Sequence, residues 1–556
     1  MRRVVVFLLA VIALVAMAGP VSAQPKVTIT GFVDNISSWT RNMGNVDINP
    51  ARTADTEWYT RTRVRPDITA EVGTTKFVLG LEIDATWGQT ANQDTNVCLG
   101  AACPAAVGTQ QRFGATHGWD LNTDVQGVIE IKWAYTEFNV PLIPVPTRMR
   151  LGAQPWEATY KIAVLAQGDF AGVHLTSQLA PMAKLNLTFA QIEESSTGPT
   201  DNFIRGDDVA FIGSVEITPF KGLDIRPIVS YANLIGPTSG ATRQGRAGVG
   251  TGAANFPTCP GTAGPGTGSC LSTTDNSSAI EHRFTVGVDA RWRFGPFSLD
   301  PTVMYQFGRR DQTVAAVVPL SNGTSSTLDM SAWLVDIRGG WQAGPLLLEA
   351  AGIYATGNQA KDRIDRNGNS TIKFYQPIST DSGFYTGWAE IWALGIDYFN
   401  ALRNGAPGVN PIVAIGYDKY GLIRAGARAS YALTPAFTLR AAANANWTAE
   451  PVDSSSTLIA ATGLTPCAGL TGAVAVNCDA AVHAKNGDSQ YLGTEINLGF
   501  QWRFAPNVAL DMVGAYMFAG NALATHQTVH PVTGISTNGR DPQDVMAVTA
   551  RVRYSW

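Results

Sequence analysis

Hydrophobic and polar residues alternate with a period of two over long parts of the chain. Between positions 57 and 71, the odd positions are mostly charged, as at Arg61 and Arg63, and the even positions are mostly apolar or small, as at Trp58. Successive side chains of a β-strand point to opposite faces, so this period predicts a strand with one charged and one apolar face. The same alternation recurs at 76–87, 280–294 and 492–504.

The way charge is divided between the two faces favours a membrane barrel over a soluble β-sandwich, which also alternates. The polar face carries full charges along most of each segment, and the apolar face ends in aromatic residues such as Trp87 and Phe504. Lipid outside, water inside and aromatic belts at both interfaces are typical of a transmembrane β-barrel.

Turns and loops alternate in length along the chain. Short turns are predicted at 72–75, 219–222, 295–296, 344–345, 434–435 and 505–506, and long polar loops near 89–126, 236–279, 310–327, 358–382, 450–489 and 520–542. Short periplasmic turns and long extracellular loops are the arrangement of outer-membrane barrels. The sequence therefore predicts an all-β fold, a closed antiparallel transmembrane β-barrel of about 18 strands.

The number of strands is even if both termini are periplasmic. The stretch 383–420 is either loop or two further strands, which would give 20, and 16 is the lower alternative. We see no composition break or linker that would divide the chain into domains.

Composition agrees with this fold. Only 15% of the 556 residues are charged, with a formal net charge of −4, and the mean hydropathy is +0.02. After Gly19 no run of 18 apolar residues occurs, so we expect no membrane-spanning helix. Basic residues are not concentrated anywhere, which argues against a nucleic-acid partner.

The N-terminus has the features of an export signal. Arg2 and Arg3 precede an uncharged apolar run over 4–19, and Val21-Ser22-Ala23 offers a small-x-small cleavage site. We expect residues 1–23 to be a signal peptide and 24–556 to be the barrel. The competing interpretation is an uncleaved membrane anchor.

The six cysteines form three pairs that are close along the chain. Each pair lies in a loop-like stretch rich in Gly, Ala, Pro and Thr, and export to an oxidising compartment favours disulfides. Six cysteines allow 15 connectivities, of which proximity favours Cys98–Cys103, Cys259–Cys270 and Cys467–Cys478. Each bond would restrict one long loop, and a metal site is the alternative.

The last eleven residues, 546–556, alternate like the other segments and end in an aromatic residue. Val552 and Tyr554 fall on the lipid face, Arg551 and Arg553 fall on the lumen face, and Trp556 closes the chain. The sequence here resembles the Gram-negative outer-membrane porins, whose final strand ends in an aromatic residue, most often Phe, that serves as an assembly signal. The resemblance covers the mature chain as architecture, without a subfamily or substrate residues. It implies an outer-membrane location and leaves a homotrimer or a monomer open.

The functional surface of a pore is its lumen, and alternation assigns charged residues to it. Arg551 and Arg553 are expected near the Arg61–Arg65 cluster, because the first strand alone separates the two. One hypothesis is that the charges orient permeating solutes, and the other is that they only solvate the wall and pair with each other. The pore-lining candidates are Arg61, Arg63, Arg65, Asp67, Glu82, Asp84, Arg148, Arg150, Arg283, Arg291, Arg293, Asp336, Arg338, Arg424, Arg428, Arg440, Arg503, Arg551 and Arg553.

These residues point to a porin for passive diffusion of small hydrophilic solutes or ions, with a leaning to anions because few aromatics are assigned to the lumen. Inward-folding loops are expected to set the constriction. The expected partners are the lipid bilayer, lipopolysaccharide and the solutes themselves. The alternatives are a structural or adhesive barrel with little transport, and a substrate-specific channel.

No cofactor, metal site or enzymatic activity is expected. His282 lacks a readable nucleophile beside it. His526 lies four residues before His530, but in a loop, where the ligand spacing of a helix does not apply. The loop 362–370 is rich in oxygen ligands, but it lacks the Glu that an EF-hand needs and is interpreted as a polar turn.

Overall fold

The structure is a computed structural model that describes most of the barrel wall and parts of the segments that fold into the bore. The described residues are 25–42, 56–87, 118–119, 129–161, 164–193, 208–234, 278–313, 325–359, 362, 370–380, 389–392, 395–396, 420–452, 487, 489–523, 528–529, 536–537 and 542–556. The proposed signal peptide, all six cysteines, His526 and most of the 362–370 turn lie outside these residues.

Eighteen long strands form the wall of a closed antiparallel barrel, as predicted. In chain order they are β1 Lys26–Arg41, β2 Thr56–Val72, β3 Thr75–Trp87, β4 Glu130–Asn139, β5 Thr147–Glu157, β6 Ala166–Ala180, β7 Ala183–Glu193, β8 Asp208–Phe220 and β9 Leu223–Leu234. The second half comprises β10 Ser278–Phe294, β11 Phe297–Thr313, β12 Ser325–Ala343, β13 Leu346–Ala355, β14 Leu422–Thr434, β15 Phe437–Val452, β16 Ser489–Ala505, β17 Val508–Ala519 and β18 Val545–Ser555.

The barrel closes through pairing of the first strand with the last. Asp34 of β1 lies opposite Arg63 of β2 on one side and opposite Arg553 of β18 on the other. Two-residue strands at Gly118–Trp119 and Ser379–Thr380 add short parallel pairings to β3 and β6. Strand β13 pairs directly with β14, so no strand lies between them in the wall, which has 18 strands rather than the alternatives of 16 or 20.

Short turns lie at one end of the barrel and longer connections at the other. Strands β2–β3, β10–β11 and β12–β13 are joined by two-residue turns that contain Gly73, Gly295 and Gly344, with φ of 59°, 58° and 56°. Glycine adopts this left-handed backbone without a Cβ clash, which explains its position there. We call the two ends the short-turn end and the long-loop end. Among the described residues, none of the helices is long and apolar enough to cross a bilayer.

The outer face is apolar and exposed, as the alternation predicts. Val288 on β10 is 44% exposed and Leu498 on β16 is 63% exposed. Such a surface suits hydrocarbon rather than water. Two groups of stacked or tilted aromatic rings border this belt: Tyr231, Phe284, Phe307, Tyr305 and Trp333 toward the long-loop end, and Trp292, Phe294 and Phe297 at the short-turn end. The predicted outer-membrane-type barrel is thereby confirmed.

The inner face differs in character along the barrel axis, which the sequence analysis did not predict. Near the short-turn end its charged side chains are partly exposed, whereas in the middle and toward the long-loop end buried apolar side chains lie beside buried charged ones such as Arg283 and Glu495. There the inward side chains form a buried cluster with segments of chain that fold into the bore. Wall residues in this cluster include Ile212, Ile228, Met304, Leu334, Ile353 and Leu422.

Candidate functional site

The charged part of the lumen consists of ion pairs that join neighbouring strands. Nitrogen–oxygen distances are 2.5 Å for Arg553–Asp34, 2.6 Å for Arg148–Glu137, 2.6 Å for Arg291–Asp224, 2.6 Å for Arg226–Glu216 and 2.8 Å for Arg551–Asp511. Arg293 pairs with Asp300 and Arg428 pairs with Glu349 in the same way. We call this charged part of the wall the vestibule; it comprises the pairs named in this paragraph together with Arg440.

Within most of these pairs, the cation is more exposed to the lumen than the carboxylate. The side chain of Arg440 is 51% exposed against 2% for Asp511, that of Arg293 is 51% against 23% for Asp300, and that of Arg553 is 32% against 0% for Asp34. Although the charges are nearly balanced, the surface that meets solvent is therefore rich in guanidinium groups. The order is reversed at Arg61 and Arg63, which are buried against Asp84.

The structure brings the two predicted arginine groups together at the barrel closure. The guanidinium of Arg553 lies 4.1 Å from the centroid of the Phe32 ring, and that of Arg65 lies 5.7 Å from the same centroid. Asp34, between them in the sheet, accepts two hydrogen bonds from Arg553, at 2.6 and 2.5 Å. This acid was not among the sequence candidates, although it has the inward parity of its strand.

The remaining sequence candidates divide by their surroundings. Arg338 pairs with Asp336 two residues earlier, at 2.7 Å. Arg424 is buried and donates to Asn444 at 2.8 Å, and Arg503 is exposed near the short-turn end.

Glu82 lies 3.1 Å from Arg65 and 2.8 Å from Arg63, and Asp67 is partly buried. Arg283 is buried in the bore, where it pairs with Glu281.

A second missed acid, Glu137, gathers three cations on the inner wall. Its carboxylate lies within 3.2 Å of Lys76, Arg148 and Arg150. The register between β3 and β4 shifts at Gly80 and Leu81, so Lys132 is an extra residue on β4. Such a bulge inverts the alternation beyond it, and a strict period of two starting from Glu130 therefore assigns Glu137 to the wrong face.

The lumen also has more aromatic side chains than expected from the sequence. Guanidinium groups lie over the rings of Trp133, Tyr135 and Tyr160, at 5.3 Å from Arg65, 5.5 Å from Arg150 and 3.9 Å from Arg226. Guanidinium–ring contacts of this kind are attractive. They also hold the flexible arginine side chains against the wall.

One segment that folds into the bore connects β5 to β6. Its Lys161 Nζ donates to the carbonyl oxygens of Asp300 and Asp336, at 2.7 and 3.3 Å, and lies 3.5 Å from the Asp289 carboxylate. Burial lowers the pKa of Lys161, and the carboxylates of Asp336 and Asp289 offset part of this effect. The backbone N–H of Tyr160 donates to Asp289. No short sequence pattern predicts that this segment folds inward.

A second segment lies between β13 and β14, where the predicted 358–382 loop turns into the bore. We call residues 370–380 and 389–392 the inward segment. Ile372 forms a bridge with Met330 of β12, the Ile378 N–H donates to the Leu165 carbonyl at 2.8 Å, and Tyr375 Oη donates to the Val164 carbonyl at 2.8 Å. The inward segment therefore packs against both the wall and the β5–β6 connection.

Among the described residues, no group of three or more His, Cys, Asp or Glu side chains is placed to hold a metal ion. His282 faces outward, and its Nδ1 lies 2.9 Å from Tyr231 Oη in the aromatic group of the outer surface.

No family model and no curated protein matches the chain. Similar solved structures come from Pseudomonas aeruginosa. OccK8 (OprE) has 10% identity and a TM-score of 0.43, covering 96% of this chain and 98% of that chain. OccK9 (OpdG) has 10% identity and a TM-score of 0.44, with coverage of 95% and 98%. OpdK with vanillate has 9% identity and a TM-score of 0.42, with coverage of 95% and 99%. Identities this low transfer neither a solute nor a binding residue.

Proposed function

We propose that the protein is an outer-membrane diffusion channel with a preference for small anions. The observation that carries this proposal is the unequal exposure within the vestibule ion pairs. Solutes in the bore meet guanidinium groups first, because the partner carboxylates lie behind them against the wall. A low-dielectric wall strengthens the field of such groups and raises the local concentration of counter-ions.

The barrel is wide enough for this role. Side chains alone fill a barrel of about eight strands, whereas 16 to 18 strands leave room for an aqueous channel. In this barrel of 18 strands, the inward segment and the β5–β6 connection occupy part of the bore. The pathway then runs from the charged vestibule past these two segments.

The proposal is tested by reversal potentials in a planar bilayer across a tenfold KCl gradient. The purified channel should show discrete current steps and a reversal potential toward that of chloride. A triple variant in which Gln replaces Arg291, Arg293 and Arg440 should have a reversal potential closer to zero, because three of the most exposed lumen cations are lost.

The matched control is Arg309→Gln. Arg309 is also highly exposed, but its strand position gives it the outward parity, opposite His282. Its replacement should leave the reversal potential unchanged. A protein without current steps would support the structural or adhesive alternative, and a cation-selective channel would contradict the assigned role of the vestibule.

A further inference from the structure

The inward segment is attached to three separate parts of the barrel wall. Residues 376–377 contact β10 and β11, and residues 379–380 pair with the start of β6. Residues 390–392 contact β16. In barrel order, β6 and β16 are nearly opposite each other. The inward segment therefore has anchors on facing sides of the bore.

The first anchor is the buried guanidinium of Arg283 on β10. Its Nη1 donates to the carbonyl oxygens of Gln376 and Pro377, at 3.1 and 3.3 Å, and its Nη2 donates to the Gln376 side chain. Glu281 holds the same guanidinium from the wall side, accepting from Nε at 2.7 Å. A planar guanidinium can serve several acceptors in fixed directions, which suits it to this role.

The second anchor is the buried carboxylate of Glu495 on β16. It accepts the consecutive backbone N–H groups of Glu390, Ile391 and Trp392, at 2.6, 3.1 and 3.0 Å. The Asn497 side chain donates a fourth hydrogen bond at 3.0 Å. Charge-assisted bonds to successive N–H groups are strong, and they replace the water that this carboxylate loses.

The two anchors have opposite charges because they bind different polar groups of the backbone. The cation of Arg283 binds carbonyl oxygens, and the anion of Glu495 binds N–H groups. Both side chains are essentially inaccessible to solvent, so their charges contact the inward segment instead of permeating ions. Burying either charge without these partners would be costly.

We propose that Arg283 and Glu495 are positioning residues that hold the two parts of the inward segment, 370–380 and 389–392, in place within the bore and thereby set the width of the permeation pathway. This inference rests on the proposed channel function. It assigns pore size and ion preference to different residues: size to the two buried anchors, and preference to the exposed cations of the vestibule.

Single-channel recordings with poly(ethylene glycol) of graded size test this assignment. In Glu495→Gln, the amide oxygen can still accept hydrogen bonds, but the amide NH2 group replaces the other acceptor and meets at least one backbone N–H of residues 390–392, so this anchor should weaken. We expect larger or fluctuating currents and entry of larger polymers than in the wild type, with an unchanged reversal potential. Asp311→Asn is the matched control, because Asp311 shares the outward parity of Arg309, with which it pairs, and its loss should leave the polymer cut-off unchanged.

A second variant, Gln376→Ala, tests the other anchor without altering a buried charge of the wall. It removes the side-chain acceptor of Arg283 and should change the polymer cut-off in the same direction but by less. Heat-modifiable migration on gels shows that each barrel is folded. An unchanged cut-off in both folded variants would overturn the inference, even if the channel is anion-selective. The absence of any wild-type current would instead overturn the channel function.

Discussion

At the residue scale, the burial of each carboxylate decides how much its ion pair contributes to the stability of the barrel. Asp34 has no solvent-accessible side-chain area, whereas Asp300 is 23% exposed. Exposed pairs are screened by water and contribute little. A buried carboxylate that loses its partner remains as an uncompensated charge. The vestibule therefore combines pairs that stabilise the barrel with pairs that mainly present charge to the lumen.

Replacing Arg553 with Met should destabilise the barrel by about 3 kcal/mol or more, because the buried Asp34 carboxylate loses its bidentate partner. The same substitution at Arg293 should cost less than about 1 kcal/mol, because solvent can reach Asp300. Urea unfolding of the barrel in lipid vesicles measures both values.

A double variant provides the control for this comparison. Adding Asp34→Asn to Arg553→Met removes the unpaired charge and should recover most of the lost stability. Equal effects of Arg553→Met and Arg293→Met would contradict the importance of carboxylate burial. A double variant as unstable as the single one would point to lost packing on Phe32 instead.

At the scale of single elements, alternation determines which face of a strand meets lipid. Val288 lies midway along β10, between the two aromatic groups, and faces outward. Val288→Arg should destabilise the barrel by about 2–4 kcal/mol, because it places a cation near the middle of the hydrocarbon. The free energy of unfolding in vesicles is the measurement.

Val72→Arg makes the same chemical change at the rim. Val72 is exposed at the end of β2, beside the turn at Gly73. There the introduced guanidinium reaches the interface, and the cost should stay below about 1 kcal/mol. A large cost at both positions would show that depth in the membrane is not the cause, and a negligible cost at Val288 would contradict its lipid-facing position.

Local patterns suffice to predict the wall of this barrel but not the contents of its bore. The charged face of 57–71 and turns such as Gly295-Pro296 are properties of short stretches, and the structure contains them as predicted. The extra residue at Lys132 breaks the period without a sequence signal. Lys161 and Gln376 take their positions from contacts 70 or more residues away along the chain, which no short pattern encodes.

At the scale of the whole molecule, charge and filling are distributed unequally along the axis. The exposed cations of the vestibule lie toward the short-turn end, and the apolar cluster with the inward segment fills the middle of the bore and the region toward the long-loop end. An anion entering from the short-turn end therefore meets the selective region first. An anion from the other end reaches it last.

This asymmetry predicts rectification at low salt. When voltage drives anions from the short-turn end, the vestibule delivers them into a less selective region, where salt accumulates and conductance rises. The opposite polarity depletes salt there. Current should thus be larger in the first direction at 0.01 M salt, where the Debye length is about 30 Å, and symmetric at 1 M, where it is about 3 Å. Current–voltage curves of channels inserted in one orientation give the measurement.

The variant that lacks Arg291, Arg293 and Arg440 separates this cause from the shape of the bore. If the asymmetry of the current came from the shape of the bore, it would persist when the three guanidinium groups are replaced by Gln. If it comes from their charge, it should largely vanish. Salt dependence makes the same distinction, because screening weakens charge effects and leaves shape unchanged. Equal wild-type currents at both polarities in 0.01 M salt would mean that the exposed cations of the vestibule do not control the ions in the pathway.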